Sequence, residues 1–174
     1  RLNTDDSQLS DSSFDWDSNV GVHHSSWLDS DIQGFMFKRH SGFDVVRYKG
    51  TGGLQMINHS LGRVPEMIWI KNATQTSAGN KSWVVGHHKL NNGSSPWGRR
   101  LYLSGSSSNN QEASTDLFGN GFQPTDRQFR VNWDGDNTTM SGEEFMAYLF
   151  CSIDGVSKVG SYSGSGSTGN AQNI

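Results

Sequence analysis

Cysteine is nearly absent from this chain of 174 residues. The single thiol, Cys151, excludes an internal disulfide framework. It sits inside the apolar stretch "FMAYLFCSI" with no activating base beside it, so a small buried hydrophobe is expected, not a nucleophile. Proline occurs only three times. No apolar run approaches the roughly 18 residues that a membrane-crossing helix needs. Basic residues are also scarce. Fourteen Lys and Arg against 17 acids leave a formal charge of −3, without the clustered cations that a nucleic-acid groove requires. No signal-peptide pattern is read in the sequence, and a chain that starts at Arg1 is compatible with one already removed.

What is present is aromatic and small. Nine Phe, six Trp and four Tyr must carry much of the core, because apolar residues of all kinds reach only 32%. One domain is the expectation at this length, and it is long enough to bury a real core. Seven of the acids fall between Asp5 and Asp31, which reads as a solvated lead-in. Five N-x-S/T sequons occur, at Asn58, Asn72, Asn80, Asn92 and Asn137, as a chain so rich in Asn, Ser and Thr produces by chance.

From Phe35 onward, short aromatic and β-branched stretches alternate with Gly, Asn and Ser clusters. "FMFK" (35–38), "FDVVRY" (43–48), "LQMIN" (54–58), "EMIWIK" (66–71), "SWVVGH" (82–87), "RRLYL" (99–103) and "QFRVNW" (128–133) read as strands. Pro65 precedes one of them, where its missing N–H is harmless. The segment "SGEEFMAYLFCSIDG" is ambiguous. Ser141 and Glu144 have capping-box spacing and Gly155 could end a helix. The seven residues Phe145 to Cys151 have no polar face, however, and a buried strand fits them better. Many short strands at this spacing predict an all-β fold, an antiparallel β-sandwich.

The chain also echoes itself. "FMFKRHSGFDVVRYKGTGG" and "FMAYLFCSIDGVSKVGSYSGSGS" both open on Phe-Met and close on Tyr and a Gly-rich run, about 110 residues apart. The expected organisation is the end of a preceding module or acidic lead-in over 1–41, a β-sandwich module over 42–162, and a linker or first strand of a following module over 163–174. The sandwich would then be one unit of a tandem array, with Tyr162 finishing its last strand.

Those motifs resemble a known family. "GFDVVRYKGTGG", "INHSLGRVPEMIWIKN", "WVVGHH" and "AYLFCSIDGVSKVGSYSGSGS" are similar to a repeated β domain in virion proteins of tailed bacteriophages, marine ones notably. The family wording is a strand ending Tyr-x-Gly, a His-x-Leu-Gly-x-x-Pro-Glu-Met turn and strand, a Trp-Val-Val-Tyr-His strand, and a Tyr-Leu-Phe strand before Ser-Lys-x-Gly-Ser-Tyr. It is matched here by His59, Leu61, Gly62, Pro65, Glu66, Met67, Trp83, His87, Lys158, Gly160, Ser161 and Tyr162. Coverage runs from about Gly42 to Gly166. The chain departs in having Gly86 where an aromatic is common, and in the extra "WDGDNTTM" after Asn132. The resemblance implies a virion location on the tail or particle surface, outside the cell, with other virion proteins and further copies of the chain as partners. It brings no catalytic residues and no cofactor.

Candidate chemistry is thin. His23-His24 and His87-His88 are neighbours whose side chains would point to opposite faces of a strand, which makes a poor metal site. His59 in "NHSLG" is expected to bond backbone at a turn. Asp134, Asp136 and Glu143 are the weak Ca²⁺ candidates, but Thr139 stands where an EF-hand loop needs Gly. "KGTGG" lacks the Lys-Ser/Thr of a phosphate loop. No spacing fixes Asp116 and Asp126 as a glycosidase pair, so an enzyme is not expected. The loop "NNGSSPWGRR" offers the best ligand site, with Trp97 as an exposed stacking platform and Asn92, Arg99 and Arg100 as planar hydrogen-bonding neighbours for a host-surface glycan. The expected function is a structural and adhesion module of a phage tail fibre or tail-associated protein. The alternatives are a capsid decoration protein and a secreted carbohydrate-binding module or glycan-degrading enzyme.

Overall fold

A computed structural model describes residues 14–15, 23–24, 35–74, 82–103, 112–113, 117–119, 121–132 and 138–164. The fold is all-β and every strand pairing is antiparallel. Among the described residues ten strands follow one another: β1 (Phe14–Asp15), β2 (His23–His24), β3 (Phe43–Lys49), β4 (Gln55–Asn58), β5 (Met67–Asn72), β6 (Val84–His87), β7 (Arg99–Tyr102), β8 (Glu112–Ala113), β9 (Gln128–Val131) and β10 (Glu144–Phe150). The principal sheet has the order β3-β10-β5-β6-β7-β8, β4 pairs with β9, and β1 pairs with β2. Among the described residues the helical turns are two short 3-10 pieces, Leu90–Gly93 and Pro96–Gly98.

The sandwich follows from strand alternation. Period-2 side chains place Val46 and Tyr48 of β3, Ile68 and Ile70 of β5, and Phe145, Ala147 and Leu149 of β10 on one face. Ile57 of β4 and Phe129 and Val131 of β9 close over that face. Tyr48 stacks on Phe145 at 5.4 Å and meets Phe129 edge-on, joining the two layers, and its hydroxyl donates to the Thr138 carbonyl at 2.6 Å. Burial pushes that phenol well above its usual range. Cys151 lies in the same core, where burial raises its thiol, as expected of an inert hydrophobe.

The opposite face of the large sheet is also aromatic. Phe43, Phe150, Trp69, Tyr148 and Trp83 form a chain of ring contacts at 4.8–6.4 Å. On this second face Phe43, Phe150 and Trp83 are buried and Trp69 is half-buried, while Phe145 and Leu149 are buried on the core face.

Within "SGEEFMAYLFCSIDG" the expected strand forms, and both ladders of β10 are filled, by β3 and by β5. Two boundaries differ from expectation. Phe35 to Lys38 form no strand, and Phe35, Met36 and Phe37 are exposed. Tyr162 does not finish a strand: β10 ends at Phe150, and Tyr162 is 68% exposed beyond it. Of the lead-in, residues 1–13, 16–22 and 25–34 lie outside the described residues, as does the tail 165–174.

Candidate functional site

The loop "NNGSSPWGRR" is built differently from its expected use. Asn91, Asn92 and Ser95 adopt left-handed backbone, at φ of 51°, 54° and 46°, and turn the chain back on itself. This reversal drives Trp97 inward to 1% exposure, edge-on to Phe118 at 5.5 Å. The space comes from Gly86 on β6. A Cβ there would lie 2.7 Å from atoms of both rings. The aromatic that the resemblance implies at position 86 is thus replaced by two aromatics arriving from elsewhere in the chain. Trp97 as an exposed stacking platform is therefore corrected: it is a core residue. Asn92 stays exposed at the loop tip. Arg99 and Arg100 are consecutive on β7 and so face opposite sides, the Arg100 guanidinium lying 5.1 Å from the Tyr102 ring. The four residues do not converge.

The weak Ca²⁺ set is not assembled by the described residues either. Glu143 is buried and accepts a hydrogen bond from the Asn72 amide, while Asp134 and Asp136 lie outside the described residues, as does Asp116 of the carboxylate pair. No group of three His, Cys, Asp or Glu able to hold a metal occurs among the described residues.

The polar chemistry concentrates at the β3 edge. An open groove of about 420 Å³ runs between β3 and the turn after β4, lined by Arg39, Val45, Val46, Arg47, Asn58, His59 and Ser60. Asp44 anchors it, with a side chain at 0% exposure. Its carboxylate accepts from Arg39 Nε at 2.5 Å, from Ser60 N at 2.8 Å, from Ser60 Oγ at 3.0 Å and from Val45 N at 2.9 Å. Burial pushes Asp44 up, but these donors outweigh it and hold the carboxyl below its usual range. The Arg39 guanidinium also donates to Ser60 Oγ, and His40, itself at φ 66°, bonds the Ser60 carbonyl. Arg47 pairs with Glu144 across the ladder at 3.0 Å. Both arginine side chains stay largely open to solvent, at 57% and 69%. The result is a rim of two arginines, each engaged by a carboxylate through Nε, above the fixed Asp44.

His59 behaves as expected for a turn residue. Its Nδ1 accepts from Leu61 N at 3.3 Å, so Nε2 carries the proton and donates to the Thr125 carbonyl at 3.2 Å. This bond ties the turn after β4 to the one before β9, and burial lowers the imidazole. His87 repeats the turn contact: Nδ1 accepts from Lys89 N, and burial lowers the ring against the opposing pull of the Gly160 backbone. Glu66 completes this end of the sheet. Its carboxylate accepts from Ser152 N at 2.7 Å and Ser152 Oγ at 2.5 Å, and Ser152 Oγ in turn receives Val159 N. Arg39, Asp44, Arg47 and Ser60 were not singled out by the sequence. The available signal was an acid, Asp44, set between Phe43 and the pair Val45-Val46 at the start of a strand.

No curated protein and no solved structure matches the chain. A family match runs without a break over residues 5–172, and on it the chain belongs to the family described as "Domain of unknown function (DUF7483)".

Proposed function

We propose that this chain is a structural and adhesion module of a tailed-bacteriophage virion, carried on a tail fibre or another tail-associated protein and presented outside the cell. The observation that carries the reading is where the virion-like motif residues sit. His59 joins the turns that precede β9 and follow β4; Glu66 joins the start of β5 to the segment after β10; His87 joins the end of β6 to Gly160. These positions of the resemblance secure backbone crossings, so the shared wording describes a stiff scaffold. A stiff all-β body that works in several copies suits attachment, since weak contacts gain strength from copy number. The partners are other virion proteins and further copies of this chain, with a host-surface glycan as the distal contact.

The test is immuno-electron microscopy of purified phage particles with antibody against the isolated chain. Label on the tail is expected. Label confined to the head would make it a capsid decoration protein. Particles without label, with the chain secreted free, would overturn the reading and favour the carbohydrate-binding alternative, which a glycan array then examines.

A further inference from the structure

β3 is the outermost strand of the large sheet, and its outer edge is partly sealed. The bonds Cys151 N to Gly42 O and Gly50 N to Glu143 O set the parity: even-numbered residues of β3 bond to β10, and Phe43, Val45, Arg47 and Lys49 turn their backbone groups outward. Three of those outward groups are already used. His40 N donates to Phe43 O, Val45 N donates to the Asp44 carboxylate, and the Gln55 amide donates to Lys49 O. The Phe43 N–H, the Val45 carbonyl, both groups of Arg47 and the Lys49 N–H have no hydrogen-bond partner among the described residues; the used Phe43 O and Val45 N separate the first from the other four, which are contiguous. They open onto the groove described above.

We propose that this edge is a docking site for one short extended peptide segment of a partner protein, added parallel to β3 and carrying an acidic residue opposite Arg47. Orientation follows from the four open groups. In a parallel ladder, two partner residues flanking the one opposite Arg47 each bring one N–H and one C=O. The first meets Val45 O and Arg47 N; the second meets Arg47 O and Lys49 N. Nothing is left over on either side. An antiparallel strand would engage three partner residues and leave two of their groups facing the blocked Val45 N and Lys49 O.

Chemistry of the occupant follows from the faces. Residues opposite one another share a face, so the central residue lies beside Arg47 on the outer side. Asp44 is sealed beneath Arg39, and Glu144 engages Arg47 through Nε alone, so the terminal Arg47 nitrogens and the exposed Lys49 ammonium are the groups that an acid meets. The two flanking side chains point into the seam between Val46 and His59, which fits small apolar groups. The site does not depend on the virion reading; a module from any other source with this edge takes the same segment.

The experiment is amide hydrogen exchange of the full chain, followed by NMR, with the blocked peptide acetyl-Gly-Val-Asp-Val-Ser-Gly-amide as probe. At peptide tenfold above its Kd, exchange at Arg47 and Lys49 is expected to slow about tenfold, with Val45 unchanged. Replacing Asp by Lys in the peptide should weaken binding about tenfold, exchanging an attraction for a repulsion. N-methylation of the Asp residue should be tolerated, because its N–H points away, whereas N-methylation of either Val should abolish protection. Absence of protection at millimolar peptide overturns the proposal. Loss of protection on methylating Asp overturns the parallel orientation. Protection that rises with protein concentration alone, without peptide, overturns the partner peptide and assigns the edge to a second copy of the chain.

Discussion

The contact between Gly86 and the two inserted rings can be tested by measuring how strongly the sites couple. Trp97→Ala removes a side chain that is 1% exposed. Burial of about 150–250 Å² of indole at about 25 cal/mol per Å² gives roughly 4–6 kcal/mol, and large-to-small aromatic substitutions in cores cost about 3–5 kcal/mol. At about 2–4 °C per kcal/mol for a chain of this size, the melting temperature should fall by roughly 10 °C. Gly86→Ala acts the other way. The new methyl would stand 2.7 Å from Trp97 Cζ3 and from Phe118 Cζ, so overpacking should cost about 1–3 kcal/mol. No positive φ is required at Gly86, so backbone strain adds nothing. Combined, the two changes should not add. With the indole gone Phe118 can retreat, and the methyl fills part of the cavity. A double-mutant cycle by urea unfolding should give at least about 1 kcal/mol of favourable coupling. Additive costs would refute the idea that Gly86 makes room for the rings. A near-neutral Trp97→Ala would return Trp97 to the surface and reopen the loop as a ligand platform.

Three further perturbations address the polar ties. Asp44→Asn removes the charge that Arg39 and Ser60 satisfy and should cost about 1–3 kcal/mol at neutral pH in a denaturant melt. Because folding holds Asp44 below its unfolded value near 3.9, its contribution is present above that pH and lost as pH falls through the folded value; the variant should lack this acid limb, and an identical limb in both proteins would contradict it. His59, His87 and His88 are all lowered, chiefly by burial, so the unfolded chain binds their protons more tightly. Melting temperature should therefore drop as pH falls from about 6.5 toward each folded value, whereas a flat profile from pH 7.5 to 5 would sink that account. Glu66→Gln weakens two hydrogen bonds to Ser152 and should speed amide exchange around Val159 while leaving β10 protected; equal acceleration throughout β10 would show that the variant loosens the whole sheet.

Strands were legible because period-2 alternation is local. "QFRVNW" buries Phe129 and Val131 in alternation, "FDVVRY" was legible instead from its aromatic and β-branched residues, and in β10 the missing polar face was enough to decide against a helix. Trp97 was misread because its surroundings in sequence are all polar or small, and those same residues supply the left-handed turns that fold it inward. The receiving space at Gly86 belongs to a different strand and leaves no trace near Trp97. The groove at the β3 edge was invisible for a similar reason. Asp44 meets Ser60 across 16 positions and Arg39 meets Ser60 across 21, contacts that only the packing of β3 beside the turn after β4 creates. His59 was read correctly because its Nδ1 contact is two residues away and needs only a turn.

β10 is late in the chain yet central in the sheet, flanked by strands that begin at Phe43 and Met67. During synthesis, β3 and β5 emerge with an unfilled slot between them, and the strand that fills it begins at Glu144, 72 positions after β5 ends at Asn72. At about 5–20 residues per second, that leaves several seconds or more in which two apolar strands lack their common partner. The long loop also makes the closing step slow, since its entropy is lost before any ladder forms. A chain cut short before Glu144 cannot complete the large sheet at all, and its open slot would accept any other chain's β10. Misassembly of nascent chains by strand exchange is the hazard built into this order, and co-expression of a fragment ending before Glu144 should poison the yield of the intact protein.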